Sequence, residues 1–314
     1  MKPLRMLIWH VHGSYATALV RGCHTYLIPV MPDRGLNGLG RARTWDWPKS
    51  AVEVTPEEVR DAEVDLVVAQ RPHELELARE WLGRRPGRDI PVLYLEHTSP
   101  EGEIAHMRHP AADRHDLLLV HVTHFNALFW DAGSTETRVV EHGIVDPGYR
   151  YTGELPRAVV VINEARRRGR LIGIDLLPLL NARAPIDLFG MDAEALGGIE
   201  DVPQTELHDE MARRRAYLHP IRWTSLGLSL LEAMHLGMPI VALATTEVVE
   251  AVPPEAGVVS NKLAVLQEAL ARLVDDPDEA RERGVAARQA ALARFGLERF
   301  LADWDEVFAE AVSR

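Results

Sequence analysis

Short apolar runs alternate along the whole chain with stretches whose apolar residues recur at helical spacing. Residues 4–11 form a nearly continuous apolar strand, followed by a loop at His12-Gly13-Ser14-Tyr15 and a helix from Ala16. Further strands are predicted at 65–70, 91–96, 117–123 and 137–141, with a helix over 74–82 that ends at the turn Pro86-Gly87. A turn-rich segment follows, from Asp146-Pro147-Gly148 to Gly153-Glu154-Leu155-Pro156. The pattern then restarts, with strands at 158–162, 186–189, 215–218, 240–243 and 257–260. Leu263, Leu266, Leu270 and Leu273 mark one amphipathic helix, and Leu297, Phe300, Leu301, Trp304, Val307 and Phe308 mark a terminal one. Strands alternating with helices predict an α/β protein with parallel sheets. Two Rossmann-like domains are expected, 1–150 and 151–296, with a terminal helix at 297–314.

The most informative stretch is YLHPIRWTSLGLSLLEAMHLGMPIV, residues 217–241. A strand ends at Pro220, a polar turn containing Gly227 follows, and Leu228, Leu231 and Met234 open a helix that stops at Gly237. The free N–H groups of such a helix start can hold a phosphate. A carboxylate one turn in, Glu232, can accept from ribose hydroxyls.

Pro220, Arg222, Trp223, Gly227, Leu228, Leu231-Glu232-Ala233-Met234, Gly237, Pro239 and Val241 resemble the donor-binding signature of retaining glycosyltransferases of the GT-B fold, family four in particular. The sequence departs from that signature where Thr224 replaces the first of two glutamates, Ser225 a glycine and Leu226 an aromatic residue. The resemblance implies two Rossmann-like domains facing across a cleft, the first for acceptor and the second for a nucleoside diphosphate sugar, with the final helix crossing back to the first. It implies transfer of a hexosyl unit with retention and without a metal ion or cofactor.

The resemblance also assigns residues. His97, at the tip of the strand 91–96, is expected to face the donor sugar or its phosphate, while Glu96 points the other way along the strand. His12, Gly13 and Ser14 form the loop expected over phosphate and acceptor. Arg166 and Arg170, within Arg166-Arg167-Arg168-Gly169-Arg170, are the expected diphosphate clamp, since a guanidinium fork suits phosphate oxygens. Gly190 is placed near the nucleotide base, and Thr224, Leu226, Gly227, Leu228 and Glu232 near the rest of the donor. Glu141-His142-Gly143 marks the close of the first domain.

Composition narrows the partners. The chain of 314 residues carries a net charge of −12, which argues against general nucleic-acid binding. The single cysteine, Cys23, excludes an internal disulfide, suits a reducing cytoplasm and is expected to be a small buried thiol. No apolar run is long enough for a membrane span. His106, His109, Asp113 and His115 match no metal-ligand spacing and are expected in a polar loop. Two rival functions remain: a nucleotide-sugar-binding protein without transfer activity, suggested by Thr224, and a nicotinamide-dependent dehydrogenase, which lacks its Gly-x-Gly-x-x-Gly turn after either first strand.

Overall fold

The computed structural model describes residues 2–314, and the chain divides into two compact units. Unit one comprises Met1–Val145 and Leu297–Arg314, and unit two Asp146–Gly296. The division therefore falls five residues before the boundary read from the turn-rich segment.

Unit one is built on seven parallel strands. They are β1 (Arg5–Ile8), β2 (Thr25–Pro29), β3 (Ala51–Val54), β4 (Leu66–Ala69), β5 (Val92–Glu96), β6 (Leu118–His121) and β7 (Thr137–Val139). Their order in the sheet is β3-β2-β1-β4-β5-β6-β7, so the sheet grows outward in both directions from β1 and β4. The central strands are apolar at nearly every position because both faces are covered. Leu7, Val67 and Leu119 cluster with Ala78, Trp81 and Leu82 of the helix Pro72–Leu82. The terminal helix Leu297–Ser313 buries Phe300, Trp304, Val307 and Phe308 in this same unit. Trp304 donates its indole N–H to the buried hydroxyl of Tyr15 (3.1 Å), which ties the last helix to the helix Gly13–Leu19.

β2 and β3 were not legible in the sequence. Each is short, and Pro29, Pro32, Pro48 and Pro56 break up the surrounding pattern. Cys23 is exposed, contrary to the expected buried thiol, because it lies in the turn between the first helix and β2. His109 is likewise no member of a polar loop. It is buried between Tyr94 and Trp130, and Glu96 accepts from its Nε2 (2.9 Å).

Unit two carries five parallel strands: β8 (Leu155–Val161), β9 (Ile186–Phe189), β10 (Arg214–His219), β11 (Ile240–Ala242) and β12 (Gly257–Val259). Their order is β12-β11-β10-β8-β9, so the chain reverses direction across the sheet between β8 and β10. Ligands in such sheets bind beyond the carboxyl ends of the strands at that reversal. The helix Leu228–Leu236 connects β10 to β11 and is buried on almost every side. It ends at Gly237, whose φ of 88° is left-handed and closes the helix. Among the described residues no helix is long and apolar enough to cross a membrane.

Candidate functional site

The carboxyl edge of unit two is assembled by two close backbone approaches. Gly173 has a φ of +76°, and a Cβ there would stand 2.0 Å from the carbonyl oxygen of Pro220. Only glycine permits this contact. It brings the loop after β8 against the turn after β10, where Arg222 and Trp223 donate backbone N–H groups to the carbonyl of Leu171 (2.9 and 3.2 Å). Gly190, at a φ of +134°, similarly lets the chain after β9 pass the carbonyl of Ile162.

Three charged side chains meet at this junction. Arg222 grips Asp175 through both carboxylate oxygens (2.6 and 2.9 Å), and Arg170 donates to the same carboxylate at 2.6 Å. The Arg222 guanidinium holds the Asp175 carboxyl below its usual range. Two guanidiniums thus share one carboxylate, leaving a positive excess in which Arg170 is largely exposed. Arg166, by contrast, is exposed on the helix Ala165–Arg168 and has no ion pair among the described residues.

The turn after β10 leads into the helix Leu228–Leu236 with Gly227 at the N-cap and no side-chain cap. A Cβ at Gly227 would strike the ring of the buried His219 at 2.6 Å, so the turn packs tightly on the strand end. Burial lowers the His219 pKa to about 4. Leu226 is buried, which leaves its backbone rather than its side chain for any ligand, while Thr224 is half-buried. Ser229, in the first turn, hydrogen-bonds the Tyr217 hydroxyl at 2.8 Å. Glu232 is buried and accepts from Gln204 (3.1 Å) on the helix Gln204–Arg213, whose His208 lies 3.5 Å away. A cavity of about 350 Å³ at this edge is lined by Arg222, Leu243, Thr245 and Asn261, with Leu176 and Leu263. Asp175, Gln204 and Asn261 escaped the sequence reading, since each lies outside the signature and comes near it only through the fold.

In unit one, His12, Gly13, Ser14 and His97 converge. His97 follows β5 and sits edge-on to His12 (ring centroids 4.4 Å apart) and to Tyr15 (4.6 Å). His142 adds a third imidazole beside Tyr15 (5.6 Å). Burial pushes the His97 pKa well below the ordinary value, and the neighbouring His12 and His142 reinforce this. His142 falls to about 3 and His12 is also lowered, in both cases mainly by burial. At neutral pH the cluster is therefore a set of neutral imidazoles. The side chain of Glu96 turns away from His97 and accepts from Thr98 and His109.

Among the described residues, Cys23, His24 and Asp305 bring three potential metal-ligand atoms within 4.8 Å of one another. The Leu4 N–H donates to His24 Nδ1 (3.1 Å), so Nε2 carries the proton and donates to Asp305 (2.9 Å). A metal-bound imidazole needs the opposite arrangement, a lone pair towards the ion and a donor on its other nitrogen. The trio is a hydrogen-bond chain.

This architecture is the GT-B fold of glycosyltransferases. Residues 197–290 match the family of glycosyl transferases group 1, which places the family's sequence signature within unit two. The chain resembles sucrose-phosphate synthase from Thermosynechococcus elongatus with a TM-score of 0.71 at 14% identity, over 98% of each chain. It resembles Anabaena Alr3699/HepE, solved in complex with UDP and glucose, with a TM-score of 0.67 at 12% identity, over 98% of this chain and 100% of the other. A glycosyltransferase from Rickettsia africae matches with a TM-score of 0.65 at 14% identity, over 99% of both chains. No curated protein matches the chain in sequence.

Proposed function

We propose that the protein transfers a hexosyl unit from a nucleoside diphosphate sugar to an acceptor, with retention at the anomeric carbon. The observation that carries this reading is the carboxyl edge of unit two. There an uncapped helix start at Gly227 and the paired guanidiniums of Arg170 and Arg222 lie in the segments that follow the adjacent strands β8 and β10. Helix N–H groups and arginines stabilise the charge that builds on a departing diphosphate. Arg222 joins Arg170 in this role because both are held by Asp175. Arg166, exposed and unpaired, contributes long-range attraction. Glu232 takes the ribose hydroxyls, and backbone groups from Leu226 to Leu228 take phosphate and sugar. Gly190 gives the base room.

Unit one supplies His97 and the loop His12-Gly13-Ser14. A neutral His97, whose Nε2–H is taken up by the side-chain oxygen of Gln70 (2.8 Å), accepts at Nδ1 from a sugar hydroxyl and orients it, a contribution of positioning. Retention rests on the likeness of the signature to that of retaining enzymes. The positive charge of the arginines and the helix start makes the reaction independent of a divalent ion. The lone cysteine fits a cytoplasmic setting.

The deciding experiment is a thermal-shift panel of nucleoside diphosphates, followed by transfer assays with the matching sugar nucleotides with and without chelator. One diphosphate at about 100 times its Kd adds roughly 2.7 kcal/mol of stability. No stabilisation by any of them would overturn the reading. Binding without transfer or donor hydrolysis would favour a nucleotide-sugar-binding protein, and activity lost to chelator and restored by a divalent ion would overturn metal independence.

A further inference from the structure

A second cavity, of about 480 Å³, opens at the carboxyl ends of β1 and β2, entirely within unit one. Its lining has a positive excess in a protein of net charge −12: Arg34, Arg41 and Arg43 all reach it, with His10, Asp33 and Leu39. The three arginines are not equivalent. Arg34 is neutralised by a two-point ion pair with Glu53 (2.9 and 3.2 Å). Arg41 donates instead to two backbone carbonyls, those of Ala51 (3.1 Å) and Trp47 (2.5 Å). These neutral acceptors fix the guanidinium, whose carboxylate neighbour, Glu53, is already ion-paired with Arg34, and it has more N–H donors than they take up. Arg43 is exposed and has no ion-pair partner among the described residues. The Asp33 carboxylate accepts from the backbone N–H of Gly35 (3.1 Å).

His10 completes the arrangement. Its Nδ1 donates to the carbonyl of Gly40 (2.9 Å), so Nε2 presents a lone pair. That nitrogen lies 3.6 Å from the point a Cβ on Gly13 would occupy, beside the Trp45 indole at 3.2 Å. The cavity therefore adjoins the loop that carries His12 and Gly13, and through His12 the ring of His97. Burial lowers the His10 pKa, so it remains an acceptor at neutral pH.

We infer that this cavity is an acceptor subsite for a phosphate-bearing molecule, with Arg41 and Arg43 holding the phosphate and His10 Nε2 accepting from a hydroxyl. A fixed guanidinium beside an unpaired one suits a phosphate ester, whose oxygens accept from both. The volume lies in the range of small-molecule sites. The inference rests on the glycosyltransferase reading for the word acceptor, but the phosphate site itself does not. The same chemistry serves a soluble phosphate ester or a phospholipid headgroup, for which Leu36, exposed to 80% on the same loop, would be an apolar contact.

The test is calorimetry on the full chain saturated with its best-bound nucleoside diphosphate, which occupies unit two. Inorganic phosphate, glucose 6-phosphate and glucose are titrated in turn, and vesicles of phosphatidylcholine with and without phosphatidic acid are sedimented with the protein. A soluble acceptor is expected to show as glucose 6-phosphate binding at least about tenfold tighter than glucose. A lipid acceptor shows as sedimentation with phosphatidic acid alone. Either preference is expected to vanish in the double variant R41Q/R43Q and to weaken in Arg43→Gln, whose exposed, unpaired side chain leaves folding intact. Nucleoside diphosphate binding is expected to be unchanged in both. Equal binding of phosphate ester and sugar with no vesicle preference overturns the inference, as does a preference that survives in the variants. In those cases retained diphosphate binding keeps the glycosyltransferase reading, and its absence from the parent protein overturns that reading separately.

Discussion

Gln70 sets the proton position of His97. The Gln70 side-chain nitrogen donates to the carbonyl of Trp9 (2.6 Å), which leaves its oxygen to accept from His97 Nε2 (2.8 Å). The imidazole therefore carries its hydrogen on Nε2 and a lone pair on Nδ1, a tautomer assigned from the network. His97→Ala is expected to lower turnover by about 10² while nucleotide affinity stays within about twofold, as for the loss of a contact that positions the reacting sugar. Gln70→Leu is expected to give a smaller loss of the same kind, because the ring remains but either tautomer becomes available. Steady-state kinetics with parallel calorimetry checks both, and parent-like turnover in His97→Ala would remove the residue from the site.

Glu232→Gln tests the ribose contact. Its structural partner Gln204 donates to Glu232, and an amide oxygen can still accept, so folding is expected to survive. Nucleotide affinity is expected to fall by roughly 1.5–3 kcal/mol, the worth of a hydrogen bond to a charged group. Unchanged affinity would assign Glu232 wholly to the contact between its helix and the helix Gln204–Arg213.

Thr224 stands where the resembling signature has a sugar-binding glutamate, and its side chain is shorter and uncharged. Nucleoside diphosphate alone is expected to bind nearly as tightly as the full sugar nucleotide. Calorimetry on both ligands measures the difference. A preference for the intact donor above about tenfold, ~1.4 kcal/mol, would show sugar contacts beyond the backbone groups assigned here.

Gly173→Ala forces a Cβ against the Pro220 carbonyl in a left-handed backbone. The expected result is a loss of at least about 1 kcal/mol of stability from the backbone conformation alone. Nucleotide binding is expected to weaken as well, because the loop carrying Arg170 must shift from the turn carrying Arg222. Thermal unfolding and calorimetry read the two effects. Parent-like values in both would mean that the loop reseats without cost.

Acid is expected to destabilise the fold through its buried histidines. His142 titrates at about 3, and His121 and His219 at about 4, all below the unfolded value of 6.5. A depressed histidine pKa means that the unfolded chain binds more protons between the two values, so stability is full above pH 6.5 and falls as pH drops below it. Each of these groups is expected to cost about 2 kcal/mol between pH 6.5 and 5. Denaturant titrations at several pH values measure the slope. The slope should shrink in His142→Phe, and a flat profile down to pH 5 would show that these rings are hydrated.

Most of the architecture was legible because parallel strands covered on both faces leave unbroken apolar runs, as at 66–69, 92–96 and 118–121. β2 and β3 escaped because four prolines interrupt their neighbourhood, and the helix Pro277–Phe295 because its buried positions are mostly alanine and glycine. The turn and helix around Gly227 were readable because a strand end, a tight turn and a helix start follow one another in sequence. Asp175, Gln204 and the basic cavity were not. Their partners lie dozens of residues away or, as with Arg41 and the carbonyls of Trp47 and Ala51, depend on a loop path that periodicity does not encode.

The terminal helix has a consequence for the order of events during synthesis. Unit two is continuous in sequence, whereas unit one is split between residues 1–145 and 297–314 and lacks Phe300, Trp304 and Phe308 until its second piece has been made. Residues 146–296 form one continuous stretch that folds without the last helix, whereas residues 1–145 cannot close their core without it and keep Tyr15 and Gly143 open where that helix will dock. A chain truncated before residue 297 would keep every residue of unit two and leave unit one unfinished, and the surface around Tyr15 and Gly143 is where a chaperone would bind it.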